Sequence, residues 1–406
     1  MKAISSIGAT SGLLAAGLLA TGTVLTAAQA AEIRIGATMR MISENGQKYG
    51  QMMQDEFDAI NAKGGINGHK IKLTLLNDEC KSDKGVANAN KFAHQEKVHL
   101  VIGSTCSSVS LPIVDLTAQA KVPQIIPHST NHKITQKGSA WVFRVPISAR
   151  FYKGVVAKYI GDKIGKKVAY VYASDAAAVS DAEGLKGQMK KLYGVDPVFS
   201  VQVQEKEIDF RSHMLKIKAL KPDAIFIAAL QEPMARALVQ SYEVGIPPSV
   251  KRVANSVASN APVPKLAGDA IKGVFYTAAY SDSDERPIAK KFNEMVRKKY
   301  GIKKVDHDFS QAWDLVRIVE RALKSAKLKL DDASLAADRT AIRDAIAGVK
   351  NYTGLASGPI SFCADPTPQC RDGNRTVVLI GYKKGGENFE VGILDRFTMP
   401  IEFGLK

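Results

Sequence analysis

The sequence HLVIGSTCSSVSLPIVDL, residues 99–116, passes from an apolar run to a patch of small hydroxyl residues and then to a second apolar segment. The first run ends at Gly103, which is typical of a short buried strand. The second segment has apolar residues at the spacing of one helix face, at Val109, Ile113, Leu116 and Ala120. The stretch therefore predicts a strand, a turn around Cys106 and a helix.

The start of this predicted helix is a candidate ligand site. We expect Ser107 or Ser108 to be the N-cap residue and Pro112 to lie in the first turn, where proline is tolerated. A helix N-terminus with free N–H groups binds anions well, and nearby hydroxyl groups add donors. Simple capping without a ligand fits the same residues, and the spacing alone favours capping.

Strands and helices alternate along the rest of the chain. Apolar runs bounded by turn residues predict strands at residues 32–39, 69–78, 98–103, 122–129, 166–174 and 222–230. Between these strands, apolar residues recur at the spacing of a helix face and predict helices, for example from about residue 182 to residue 193. This alternation predicts an α/β fold with parallel sheets. The pattern restarts near Ser148, which indicates two similar lobes, and residues 376–394 predict a β-hairpin.

The N-terminus has the layout of a secretory signal peptide. Lys2 is the only charged residue among the first thirty-one, residues 13–25 are largely apolar, and AQA ends at Ala30. A membrane anchor is the alternative, but glycine and threonine interrupt a stretch that is short for spanning. We expect cleavage near Ala30, a periplasmic location and no stable membrane insertion.

Four cysteines remain, and their even number in an exported chain favours disulfides. The simplest pairing is by proximity, Cys80 with Cys106 and Cys363 with Cys370. The alternative is a zinc site, but neither NDEC nor GSTC has a second cysteine or a histidine at ligand spacing.

Charge and motifs exclude several classes of function. The formal net charge is +16, from 56 Lys and Arg against 40 Asp and Glu, but the basic residues are interleaved with acids. We therefore expect no nucleic-acid partner, although the charge could steer anionic ligands. The phosphate-loop, dinucleotide, serine-hydrolase and zinc-protease motifs are missing. We expect neither a cofactor nor a metal, and no enzyme activity.

Ligands of open α/β sheets bind at the carboxyl ends of the strands. IIPHSTN, residues 125–131, lies at such an end, where Ser129 and Thr130 could donate to a carboxylate and His128 could add a donor or a charge. In SDAAAVSD, Asp175 and Asp181 could receive a cation or cap the next helix, and capping is the favoured interpretation.

Several of these segments carry a family resemblance. The chain resembles the periplasmic leucine/isoleucine/valine-binding proteins, the solute receptors of branched-chain amino-acid-type ABC transporters. The similar segments extend across nearly the whole mature chain and are IRIGA, DAINAKGGINGHKIKL, NDEC, VIGSTCSS, VPQIIPHST, WVFRVPIS and AGDAIKGVF.

The resemblance implies a type I periplasmic binding protein fold, in which two parallel-sheet α/β lobes are joined by a three-strand hinge and close on a ligand. After a signal peptide at residues 1–30, residues 31–148 with 280–352 would form the N-terminal lobe. Residues 149–279 with 353–406 would form the C-terminal lobe. The family also pairs the cysteines that match Cys80 and Cys106, whereas the other pair looks like a local addition.

Some site residues match the family and others depart from it. Ser107 and Thr130 match the hydroxyls that hold the ligand's carboxylate, and His128 replaces a small residue that offers its backbone carbonyl. The family's acidic residue, which takes the ligand's amino group, falls on Ser256, and its usual aromatic residue falls on Leu230. The tyrosine of a D-x-x-Y-G-like motif has no counterpart in SDAAAVSDAEG.

The first lobe departs from the family pattern as well. MRMISENG replaces a P-x-S-G-like turn, which brings Arg40 close to the site and puts Asn45 at a position that is often aromatic. A buried ammonium without a paired anion costs several kcal/mol. We therefore expect the ligand to be a small carboxylate without an α-amino group, such as an aromatic or aliphatic organic acid. The alternative is an amino acid whose ammonium meets Asp175, Asp308 or another acid.

Two further classes stay open at this point. A ligand sensor without a transport role has the same fold, although the export signal disfavours a cytoplasmic sensor. An exported hydrolase is the other class, but the sequence offers no nucleophile–base pair. The favoured interpretation is a solute-binding protein whose partners are a small carboxylate ligand and the permease subunits of an ABC transporter.

Overall fold

The computed structural model describes residues 31–356 and 358–398, so the predicted signal peptide lies outside the described residues. The strands are β1 Ile33–Met39, β2 Ile71–Asn77, β3 Leu100–Gly103, β4 Gln124–Ile126, β5 Val142–Arg144, β6 Val168–Ala173, β7 Phe199–Val203, β8 Ala224–Ala228, β9 Lys251–Ala254, β10 Phe275–Ala278, β11 Thr376–Lys384 and β12 Glu390–Thr398.

Helices connect most of these strands. They are α1 Glu44–Ala62, α2 Ser82–Asn90, α3 Ser107–Gln119, α4 Lys133–Gln136, α5 Ala149–Lys163, α6 Ala176–Tyr193, α7 Arg211–Leu220, α8 Gln231–Glu243, α9 Pro262–Ala267, α10 Pro287–Tyr300, α11 His307–Ser325, α12 Leu335–Ala347 and α13 Pro368–Arg371.

The strands form two sheets. The first sheet has the order β2-β1-β3-β4-β5, and all its neighbouring strands are parallel. The second sheet has the order β12-β11-β10-β9-β8-β6-β7 and is parallel from β7 to β10. β11 and β12 form the predicted hairpin, which adds an antiparallel edge to this sheet. The α/β prediction is confirmed, and the second sheet is mixed rather than wholly parallel.

Each sheet has its own apolar core. The first core includes side chains from β1, α1, α10, α11 and α12, and the second includes α5, α6, α8 and the hairpin. The chain passes between the two sheets after β5, after β10 and before β11. The lobe boundaries stay a proposal. Because Leu355, Ile360 and Phe362 pack in the first core, we propose that the third crossover follows Phe362 rather than Tyr352.

The helix predicted from the opening stretch is α3, but its predicted start is wrong. Cys106 rather than Ser107 or Ser108 is the N-cap, and it makes no side-chain capping bond. Pro112 therefore lies in the second turn and leaves the carbonyl of Ser108 without its helical partner. The hydroxyl of Ser82 donates to that carbonyl at 2.9 Å and satisfies it.

The predicted start of α6 near Ala182 is also wrong, because the helix begins at Ala176. The carboxylate of Asp175 caps it by accepting hydrogen bonds from the N–H groups of Ala177 and Ala178, both at 3.0 Å. Asp181 is buried inside this helix, where it accepts a hydrogen bond from the hydroxyl of Tyr152 and does not cap.

Both predicted disulfides are present, Cys80–Cys106 and Cys363–Cys370. The first joins the loop after β2 to the N-cap of α3 and fixes the end of the opening stretch. Among the described residues, no cluster of His, Cys, Asp and Glu could hold a metal ion. None of the described helices is long and apolar enough to cross a bilayer.

Candidate functional site

A cleft of about 470 Å³ lies at the carboxyl ends of strands from both sheets. The structure brings all of the sequence-predicted ligand-binding residues to this cleft: Arg40, Asn45, Ser107, His128, Ser129, Thr130, Asp175, Leu230 and Ser256. Their contact with a ligand stays a prediction, but their convergence fits the rule that parallel sheets bind at strand ends.

The hydroxyl groups beside α3 fall into two kinds. Ser107 is the first residue of α3, and its Oγ accepts a hydrogen bond from the backbone N–H of Asn131 at 3.3 Å. Its own hydroxyl hydrogen therefore remains available for another acceptor. The hydroxyl of Ser129 instead donates to the carbonyl of Ser104 at 2.9 Å and lies 2.7 Å from Oγ of Ser110. Ser129 is thus engaged inside the first lobe.

Arg40 is held in the wall of the cleft by its backbone. Its N–H donates to Oγ1 of Thr105 at 3.0 Å, and its carbonyl accepts from the hydroxyl of Tyr49 at 2.9 Å. The buried Nε of its guanidinium has no hydrogen-bond partner in the described part of the chain. Its positive charge acts on the carboxyl of Asp78, where it opposes the rise in pKa that burial causes. Arg40 therefore brings a cation with a free donor to the cleft.

Two histidines flank one carboxylate at the start of α11. Nε2 of His128 lies 2.9 Å from the backbone carbonyl of Asp308 and 3.7 Å from its Oδ1. Because a carbonyl only accepts, Nε2 of His128 carries a hydrogen. Nε2 of His307 lies 3.3 Å from the same Oδ1, and Nδ1 of His307 bonds to the hydroxyl of Ser259. Burial lowers the pKa of His307.

Asn45 contacts the same helix start. Its Nδ2 donates to Oδ2 of Asp306 at 3.2 Å, and Oδ1 of Asp306 caps α11 by accepting from the N–H of Asp308. Burial and the neighbouring Asp308 raise the pKa of Asp306 well above its usual range. Asp306 and His307 also line the cleft, and the sequence analysis missed them. The available signal was an aspartate at the N-cap position before the helical spacing of α11.

Asp175 faces these residues from the second lobe. Its Oδ1 caps α6, and its Oδ2 is buried without a hydrogen-bond partner among the described atoms. Burial raises the pKa of Asp175 to about 6, against the opposing effect of its backbone hydrogen bonds. The capping predicted for this residue is confirmed.

The remaining wall of the second lobe mixes apolar and polar side chains. Leu230 precedes α8, and Ser256 begins a short 3₁₀ turn after β9. The neighbouring apolar side chains of the cleft lining are Val257, Ala261, Pro262 and Leu266, and the polar ones include Gln231, Glu232, Asn260 and Lys265. The apolar part of this wall suits an apolar ligand body.

The family model described as periplasmic binding protein matches residues 32–372 of the chain. The chain belongs to this family, and its relatives are of the branched-chain amino-acid type. The sequence-based recognition is therefore confirmed.

One relative and two solved structures illustrate what the chain is similar to. An "amino acid binding protein" of Pseudomonas aeruginosa is 32% identical over 203 residues, 50% of this chain and 54% of that protein. The chain thus aligns with about half the length of this relative. The leucine binding protein LivK of Thermotoga maritima has a TM-score of 0.76 at 22% identity, covering 90% of this chain and 99% of that chain. A solute binding protein from R. palustris, solved with 4-hydroxybenzoate, has a TM-score of 0.76 at 21% identity, covering 90% and 97%.

Proposed function

We propose that this chain is the extracytoplasmic solute-binding protein of an ABC importer and that it captures a small organic acid without an α-amino group. The guanidinium of Arg40, whose buried Nε has no hydrogen-bond partner among the described residues, carries this proposal. A carboxylate placed between Arg40, the hydroxyls of Ser107 and Thr130, and the N-terminus of α3 would meet a cation, donors and a favourable helix dipole.

Most carboxylates of the cleft have partners within the protein. Each of the following acids lies beside a cation, a histidine or an amide: Glu44 with Lys48, Glu232 with Arg236, Asp306 with Asn45, and Asp308 with His128 and His307. Glu205 is exposed. On the first-lobe wall Arg40 therefore offers a cation whose Nε is free to donate, which supports an anionic ligand.

The second lobe supports the same proposal. Ser256 and Leu230 leave this wall without the acid and the aromatic residue of the amino-acid receptors that the chain resembles. An ammonium desolvated against apolar side chains would lack a counter-charge at that position, which costs several kcal/mol. An aromatic or aliphatic body would instead bury apolar surface there.

One observation favours amino-acid binding as the second candidate. Asp175 has a carboxylate oxygen without a partner, and it lines the cleft opposite the first lobe. Ionised Asp175 could take an α-ammonium while Ser107 and Thr130 take the α-carboxylate. The name of the P. aeruginosa relative agrees with this candidate.

Calorimetric titration of the mature protein with leucine, benzoate and cinnamate distinguishes the two candidates. We expect benzoate or cinnamate to bind and leucine to give no heat. Arg40→Gln removes this positive charge and should weaken the aromatic acid about tenfold. Arg211→Gln is the matched control, because Arg211 lies outside the cleft lining and pairs with Glu243. Micromolar binding of leucine without any binding of the aromatic acids would overturn the organic-acid proposal.

A further inference from the structure

The loop between β4 and β5 connects the two walls of the cleft. The carbonyl of Thr130 accepts a hydrogen bond from the N–H of Ala149 at 2.9 Å, at the start of α5. Nδ1 of His132 lies 2.9 Å from Oγ of Ser180 on α6. Asn131 stands between these two residues and is buried. The loop of the first lobe is thus attached to two helices of the second.

Each of the four polar groups of Asn131 has a partner. Its N–H donates to Oγ of Ser107, and its carbonyl accepts from Nη1 of Arg144 at 2.6 Å. Its Oδ1 accepts from the N–H of Lys133 at 2.9 Å, and its Nδ2 donates to the carbonyl of Ala176 at 2.7 Å. A single residue thus contacts the candidate carboxylate hydroxyl, the first crossover and the first turn of α6.

We propose that Asn131 is a positioning residue that couples the ligand hydroxyl Ser107 to the second-lobe wall and holds that wall closed over the ligand. The proposal rests on ligand binding in the cleft, as proposed above. The N–H of Asn131 occupies a lone pair of Ser107, so the serine hydrogen is directed to another acceptor. The amide side chain at the same time holds Ala176, which is adjacent in sequence to the cleft-lining Asp175.

The backbone and the side chain of Asn131 have separate effects in this arrangement. The backbone of Asn131 orients Ser107 and is unaffected by a side-chain substitution. The side chain holds α6 near the first lobe, and losing it should favour the open arrangement. A ligand that first docks on the first lobe would then arrive at an unchanged rate and leave faster, because closure retains it less well.

Asn131→Asp is the sharpest test. The substitution keeps the shape and the acceptor for the N–H of Lys133, but it replaces the Nδ2 donor with an oxygen that faces the carbonyl of Ala176. Asn131→Ala is a second variant that removes the contact without repulsion. Lys133→Ala is the matched control, since its side chain is exposed and only its backbone bonds to Asn131.

Two measurements use these variants. Small-angle X-ray scattering of the ligand-free proteins gives the radius of gyration, which should increase for Asn131→Asp and Asn131→Ala and stay unchanged for Lys133→Ala. Stopped-flow kinetics with benzoate should show a dissociation rate about tenfold higher for the Asn131 variants at a similar association rate. Far-UV circular dichroism checks that the variants are folded.

The outcomes separate this proposal from the ligand assignment. If the wild type binds leucine and not benzoate, the organic-acid proposal fails, and the kinetics are measured with leucine instead. If the wild type binds neither probe, the radii of gyration of the ligand-free proteins alone test the role of Asn131. Unchanged radii of gyration for the Asn131 variants, or a loss confined to the association rate, would overturn the coupling role.

Discussion

At the scale of single residues, the cleft distinguishes hydroxyls that can reach a ligand from those that hold the protein together. Ser107 and Ser129 are both buried serines at the ends of neighbouring strands, and the sequence proposes both as carboxylate donors. Ser129 is already bonded to Ser104 and Ser110, whereas Ser107 only accepts from Asn131. Of these two serines, Ser107 is therefore the proposed carboxylate contact.

Substituting these two serines should give opposite results. Ser107→Ala should weaken binding of the ligand by roughly 1–3 kcal/mol, because it removes a charge-assisted hydrogen bond, and it should leave the melting temperature nearly unchanged. Ser129→Ala should lower the melting temperature, because it breaks buried hydrogen bonds, and it should leave the affinity for the ligand nearly unchanged. Calorimetry and thermal unfolding measure the two effects. An unchanged affinity of Ser107→Ala would place the carboxylate elsewhere in the cleft.

At the scale of elements, the N-terminus of α6 makes stability depend on pH. Burial raises the pKa of Asp175 to about 6, compared with about 3.9 in an unfolded chain. Between these values the folded state holds a proton that the unfolded state has released, so stability falls as the pH rises through this range and stays lower above it. Asp175→Asn keeps the cap and removes the charge.

We expect Asp175→Asn to be more stable than the wild type at pH 7, on the order of 2 kcal/mol, and to lose that advantage by pH 4. Urea unfolding at both pH values measures the difference. Asp196→Asn is a suitable control, because Asp196 is exposed and pairs only with Lys190 at the surface. An advantage that is the same at pH 4 and pH 7 would contradict the buried-carboxyl explanation. The same variant should also lose affinity for leucine if Asp175 binds an ammonium.

The elements also show what the sequence could predict. The helical spacing in α3 and the alternation in the strands follow from local burial, so the fold class and the strand-end location of the site were accessible. The starts of α3 and α6 were wrong because Cys106 caps without its side chain and because AAAV carries no polar–apolar period. The bond from Asn45 to Asp306 spans 261 positions, and such a contact leaves no local signal.

At the scale of the whole molecule, the crossovers are joined by a buried ion pair. Nε and Nη2 of Arg144 donate to Oδ1 of Asp372 at 2.8 Å and 2.6 Å, and the N–H of Gly373 donates to the carbonyl of Arg144 at 2.9 Å. Arg144 ends β5 at the first crossover, and Asp372 precedes β11 at the third. Because Arg144 also bonds to Asn131, the crossovers and the cleft belong to one hydrogen-bonded network.

Removing one member of this pair should destabilise the protein strongly. Arg144→Met removes the cation that bonds directly to the buried carboxylate of Asp372, although the charge of Arg375 still acts on it, and we expect a loss of about 3–5 kcal/mol in the free energy of unfolding. The double variant Arg144→Met with Asp372→Asn should lose less than Arg144→Met alone, since it also removes the buried negative charge. The exposed pair of Lys158 and Asp162 gives the control, because Lys158→Met should cost less than about 1 kcal/mol. Urea unfolding of the four proteins measures these values. A loss below about 1 kcal/mol for Arg144→Met, or a double variant less stable than the single one, would show that the pair does not hold the crossovers together.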